Sequence, residues 1–134
     1  MCIRDRRIGA DEIRGFAGAD TLQGGIGADS LFGGLGPDIL NGGFGPDRLE
    51  GRLGQDKFRL FKNGGKDVIV DFQDDIDTIQ LDRDLWDGDL TKAQVIDRFA
   101  EVVDGGILFD FGAEELRING FTNLAELPDD LAFI

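Results

Sequence analysis

One large apolar side chain recurs every nine positions through residues 6–59: Ile13, Leu22, Leu31, Leu40, Leu49 and Phe58. Its immediate neighbours are mostly polar (Glu12 and Arg14, Thr21 and Gln23, Arg48 and Glu50), which predicts a short strand with one inward-pointing side chain per unit. The rest of each unit is glycine-rich, with glycine always fourth (Gly9, Gly18, Gly27, Gly36, Gly45, Gly54) and aspartate always sixth (Asp11, Asp20, Asp29, Asp38, Asp47, Asp56). Glycine turns at positive φ, so turn and strand alternate with the nine-residue period. One apolar side chain per strand makes no core alone. If two nonads form one coil, stacked coils place parallel strands about 4.8 Å apart and bury a continuous ladder of Leu and Ile. The expected fold is all-β: a right-handed parallel β-roll over residues 6–59.

Such stacking sets the sixth-position aspartates in two columns, Asp11/Asp29/Asp47 and Asp20/Asp38/Asp56. Carboxylates at strand spacing repel, so each column calls for protons or for a bridging cation, and a hard divalent ion with oxygen ligands is the natural bridge at neutral pH. Calcium suits this better than magnesium because it accepts irregular coordination, including main-chain carbonyls of a glycine turn.

Composition removes several alternatives. The chain has 134 residues, room for one folding unit, and a net charge of −13, which disfavours nucleic acid as a partner. It has no histidine, one cysteine (Cys2) and one serine (Ser30), so intrachain disulfides, His-based zinc sites and a Ser-His-Asp hydrolase are excluded. No apolar run reaches the roughly 18 residues of a membrane span. The acidity is not spread evenly: residues 60–134 carry 18 acidic and 6 basic side chains, while the repeats are close to neutral.

The units, such as GGIGADSLF from Gly24 and GGLGPDILN from Gly33, resemble the RTX (haemolysin-type) calcium-binding repeats of pattern GGxGxDx-apolar-x. The resemblance implies that each ion lies between turns two nonads apart, held by Asp11 with Asp29, Asp20 with Asp38, Asp29 with Asp47, and Asp38 with Asp56, which gives about four complete sites. Carbonyl ligands would come from Gly18, Gly25, Gly27, Gly34, Gly36, Gly43 and Gly45. The pattern is broken at the ends, where Arg6 and Arg7 replace the first glycine pair and Phe16 and Arg52 replace a second glycine. The resemblance further implies a bacterial protein secreted through a type I ABC exporter, unfolded where calcium is scarce and folded outside the cell. Nothing in these residues is catalytic. The chain reads as a calcium-binding module whose missing N-terminal region is its partner, the alternatives being the tail of a secreted metalloprotease, lipase or polysaccharide-modifying enzyme, or an adhesin or carbohydrate-binding module with Phe32 and Phe44 as weak candidates.

Residues 60–134 are expected to be a β-rich cap with one short helix. GGKDVIVDF from Gly64 and DTIQL from Asp77 alternate like strands and resemble the segment that closes the roll in serralysin-type proteases. Asp67 and Asp71 there either complete a last calcium site or are exposed strand aspartates, and the pair Asp74/Asp75 reads as a solvated turn. TKAQVIDRFAEVV from Thr91 predicts a helix, with Thr91 and Gln94 at capping-box spacing. ILFDF and ELRING predict a hairpin laid across the open end of the roll. The terminal DDLAFI resembles a type I secretion signal and equally suits a final strand. Residues 1–5 fit neither the repeat nor a leader peptide and are read as an artefactual or disordered leader to a chain truncated on its N-terminal side.

Overall fold

The structure, a computed structural model, describes residues 3–5 and 8–134, with side chains from residue 8 onward. Short strands β1 (Ile3–Asp5), β2 (Glu12–Ala17), β3 (Thr21–Ile26), β4 (Ser30–Leu35), β5 (Ile39–Phe44), β6 (Arg48–Leu53), β7 (Lys57–Leu60), β8 (Lys66–Ile69) and β9 (Thr78–Leu81) follow one another. Helix α1 (Lys92–Phe99) comes next. Strands β10 (Ala100–Val103), β11 (Gly106–Asp110) and β12 (Glu115–Asn119), a short helix α2 (Leu127–Asp130) and β13 (Leu131–Phe133) complete the chain.

Successive strands fall alternately into two sheets, ordered β1-β3-β5-β7-β9-β13 and β10-β11-β12-β8-β6-β4-β2. Each repeat strand lies parallel to the one two units away, Leu22 opposite Leu40 and Leu31 opposite Leu49, so two nonads make one coil. This is the expected parallel β-roll, with about four turns. Between the sheets Leu22, Leu31 and Leu40 are fully buried and Ile13, Leu49 and Phe58 nearly so, forming the predicted ladder. The reading of residues 1–5 as a leader falls partly outside the described residues; Ile3–Asp5 lies beside β3 at the sheet edge.

The strands are longer than three residues around an apolar position. Strands β2 to β6 run six residues each and take in the first two positions of the next unit, as in TLQGGI of β3, while β7 runs four. The backbone starts to bend inside the strand at Gly25 and Gly43 (φ 105° and 102°) and finishes at the fourth-position glycine, leaving a tight Gly-x-Asp turn. Phe16 and Arg52 occupy the bend without being glycine, at φ 77° and 71°, a conformation that costs an L residue about 1–2 kcal/mol.

Both sheets run through residue 60 without a break. Helix α1 starts with the predicted capping box: the Thr91 side chain accepts from the Gln94 backbone N–H, and the Gln94 side chain accepts from the Thr91 N–H. It is shorter than its sequence pattern, because residues 100–103 turn extended and pair antiparallel with β11. Val102 and Val103 are β-branched and favour that strand. The β11–β12 hairpin forms as expected, but it does not cross the end of the roll. Strand β12 pairs parallel with β8, Leu116 opposite Asp67, and so satisfies the backbone edge that the last coil would leave open. Strand β13 does the same for β9 on the other sheet. Between them Trp86 packs edge-on against Phe133 at 4.9 Å between ring centroids and stacks on Phe111 at 6.0 Å.

Candidate calcium-binding turns

Each turn closes with the sixth-position aspartate, and the stacking makes the aspartates into ladders. Oδ1 of Asp29 accepts the backbone N–H of Asp11 at 2.7 Å, Asp38 that of Asp20 at 2.8 Å, Asp47 that of Asp29 at 2.8 Å, and Asp56 that of Asp38 at 2.9 Å. The structure therefore brings together the four pairs that the repeat pattern joins. The aspartate carbonyls are also engaged, Asp20 accepting from Ile39 N–H and Asp29 from Arg48 N–H, both at 2.8 Å.

The second carboxylate oxygen is treated differently. Oδ2 of Asp20, Asp29, Asp38, Asp47 and Asp56 is buried with no hydrogen-bond partner. It turns into the loop toward the first glycine of its own unit. A Cβ built on Gly15 would stand 2.7 Å from Asp20 Oδ2, and one on Gly24 2.5 Å from Asp29 Oδ2. Gly15, Gly24, Gly33, Gly42 and Gly51 thus keep a side chain out of the loop, a role not assigned to them from the sequence although their recurrence signals it. Further round the turn, a Cβ on Gly43 would overlap the carbonyl oxygen of Gly25, one on Gly34 that of Phe16, one on Gly36 that of Gly18, and one on Gly45 that of Gly27. These carbonyl oxygens therefore abut the turn stacked on them, while the carbonyls of Gly33 and Gly42 approach the same points beside Gly15 and Gly24 as Asp20 Oδ2 and Asp29 Oδ2.

The ladders continue into the cap. Oδ1 of Asp67 accepts the N–H of Asp47 at 3.1 Å, and Oδ1 of Asp77 accepts that of Asp56 at 3.0 Å. Asp67 is buried, unlike an exposed strand aspartate. Asp77 was not singled out from the sequence, yet it stands two residues before Ile79, as Asp67 stands before Ile69 and each sixth-position aspartate before its apolar residue. Asp71 is not a ladder member: it is half-buried, and its two oxygens accept the N–H groups of Gly51 and Arg52 at 2.9 and 2.7 Å, holding the last glycine turn.

Burial is the leading electrostatic effect at the later rungs of both columns. It pushes Asp47 and Asp56 up to about 6, helped by the neighbouring carboxylates Asp29 in the first case and Asp77, Asp38 and Asp71 in the second. Burial, with Asp47 beside it, pushes Asp67 up to about 8. Asp38 and Asp77 are raised for the same primary reason. Donated backbone hydrogen bonds oppose these shifts without cancelling them. Oxygen-only donors, anionic and unpaired, fit a hard cation such as calcium.

Fold and turns together define a parallel β-roll built on stacked Gly-x-Asp turns. Residues 8–40 and 32–59 match the family described as the RTX calcium-binding nonapeptide repeat, in four copies, and residues 8–59 are such repeats. RTX repeats bind calcium in a β-roll. A search of curated proteins finds no match. Among solved structures the chain is similar to the extracellular lipase LipA of Serratia marcescens (TM-score 0.73, 19% identity), over 94% of this chain and 20% of the lipase. It thus spans a fifth of the lipase's length, and this likeness concerns the fold. It is also similar to the AlgE6R3 subunit of the Azotobacter vinelandii mannuronan C5-epimerase (TM-score 0.68, 28% identity), over 92% of this chain and 78% of that one.

Proposed function

We propose that this chain is a calcium-driven folding module of a secreted protein, in which residues 6–59 hold the ions and residues 60–134 cap the roll. The observation that carries this reading is the row of buried, unpartnered Oδ2 atoms at Asp20, Asp29, Asp38, Asp47 and Asp56. A buried acceptor without a partner costs about 1–3 kcal/mol, and more when charged. A cation shared between adjacent turns removes that penalty at every rung and screens the repulsion along the column. The ligands would be Asp11, Asp20, Asp29, Asp38, Asp47 and Asp56, with carbonyls of Gly18, Gly25, Gly27, Gly34, Gly36, Gly43 and Gly45. Asp67 and Asp77 would extend the two columns, while Asp71 would act by fixing the last turn. About four sites follow from the repeats alone.

Binding energy is then folding energy. Extracellular calcium modules bind at about 10⁻⁴ to 10⁻³ M, so the roll would stay unfolded at cytosolic calcium and fold outside, after passage through a type I exporter. The parent activity would lie in another part of the protein. That the AlgE6R3 subunit belongs to an epimerase favours a secreted enzyme as parent over an adhesin. Far-UV circular dichroism during a calcium titration, with magnesium as control, tests the reading. A cooperative gain of β signal near millimolar calcium, lost in Asp29→Ala/Asp38→Ala, is expected; a spectrum that ignores calcium would sink it.

A further inference from the structure

Beyond the ladders, three carboxylates from distant parts of the cap meet: Asp74 and Asp75, in the turn between β8 and β9, and Asp130, the last residue of α2. One oxygen from each lies within 4.8 Å of the other two. Ligands at 2.3–2.6 Å from a calcium ion are at most about 5 Å apart, so the three oxygens fit one coordination sphere. We propose that Asp74, Asp75 and Asp130 form a calcium site separate from the repeats, which fastens the C-terminal segment to the end of the roll.

Acidic clusters are common on surfaces, but this one is anchored inside. Asp130 is only 4% exposed. Its Oδ1 accepts the Asp75 N–H at 3.2 Å, and its Oδ2 is buried with no partner. Asp74 Oδ1 is also buried and receives no donor from the rest of the fold; it stands against Asp130, and burial together with this neighbouring carboxyl raises the affinity of Asp130 for a proton. Among the described residues no Lys or Arg forms an ion pair with any of the three. The chain has thus gathered negative charge at a point where its own side chains supply no counter-charge. Glu126 adds a fourth carboxyl beside Asp74, close enough for the two to raise its affinity for a proton. Asp75 is exposed, which leaves one side of the sphere open to water, as calcium's larger coordination number requires.

The site has a mechanical consequence. Asp130 leads directly into β13, which forms the edge of its sheet on β9. Cation binding would therefore join the 73–77 turn to the segment that covers that edge, whereas the bare carboxylates push it away.

The test counts calcium bound per 134-residue chain by equilibrium dialysis with ⁴⁵Ca at saturation, with circular dichroism confirming the folded roll. Asp130→Asn keeps the acceptor for Asp75 N–H and removes the charge; it should bind one ion fewer than the wild type. Asp75→Asn, at an exposed position, is the second variant should Asp130→Asn fail to fold, with the same expected loss. Asp38→Asn serves as the ladder control, and its loss should add to that of Asp130→Asn in the double variant. Unchanged stoichiometry in a folded Asp130→Asn or Asp75→Asn chain overturns the proposal and leaves the repeat sites intact.

Discussion

The carboxylate of Asp38 is divided in its duties: Oδ1 accepts the backbone N–H of Asp20, 18 residues earlier, at 2.8 Å, while Oδ2 is buried without a partner. One oxygen holds adjacent coils together by an ordinary hydrogen bond, and the other makes the stack depend on a cation. The two duties can be separated by substitution. Asp38→Asn keeps the acceptor and drops the charge, so in chelator its stability should equal or exceed that of the wild type, with a weakened gain on adding calcium. Asp38→Ala also orphans the Asp20 N–H, and should lose about 1–3 kcal/mol under both conditions. Urea melts in calcium, and in chelator at about pH 5 where acid restores the calcium-free fold, check this; equal behaviour of the two variants would contradict the division.

Without calcium the ladders should respond to acid. Asp47 and Asp56 titrate at about 6 and Asp67 at about 8 in the fold, against 3.8 when exposed. A carboxyl raised by folding binds its proton more tightly in the folded state, so its contribution is full below about pH 4 and is lost as pH climbs through its folded value. The calcium-free chain should therefore gain β structure on acidification from pH 8 toward pH 5. Calcium should flatten that dependence. A pH titration of far-UV circular dichroism in chelator would show the reverse trend if the carboxylates were instead stabilised as anions.

The fourth-position glycines stacked on a preceding coil (Gly27, Gly36, Gly45 and Gly54) should tolerate no side chain. Gly36 has φ 110°, and a Cβ there would overlap the carbonyl oxygen of Gly18 in the preceding coil. Gly36→Ala combines backbone strain of about 1–2 kcal/mol with a displaced carbonyl, and should raise the calcium concentration at the folding midpoint. Gly88→Ala, also at positive φ but with nothing near the added methyl, supplies the strain-only comparison. If both variants shift the midpoint equally, close stacking of the turns is not the limiting factor.

Much of the roll could be read from the chain because its period is rigid: Gly36, Asp38 and Leu40 each recur at 18-residue offsets that match one coil, so register followed from counting. The cap was less legible where pairing across space decided the outcome. Residues 100–103 continue a helical pattern locally, yet β11 offers a partner strand and wins them. Asp77 lies 21 residues after Asp56 instead of 18, since the intervening loop lengthens, and the counting that found the other rungs passed over it. Asp130 could not be joined to Asp74 by any spacing rule. Their proximity depends on how α2 folds back.

The cap and the roll should unfold together, although composition divides them near residue 60. Both sheets cross that point, with Phe58 opposite Ile79 and Leu49 opposite Ile69, and Ile79 in turn pairs with Leu131. The chain's one tryptophan, Trp86, sits in the cap among Phe99, Phe111 and Phe133 and reports on that half alone. In calcium, urea transitions followed by Trp86 fluorescence and by far-UV circular dichroism should coincide. Leu40→Ala, a fully buried position deep in the roll, should destabilise by about 2–5 kcal/mol and move the Trp86 transition as far as the backbone signal. Leu131→Ala, in the edge strand β13 of the same sheet, should do likewise. Two separated transitions, with Leu40→Ala shifting only the circular dichroism, would mean that continuous strand pairing does not make the two halves one cooperative unit.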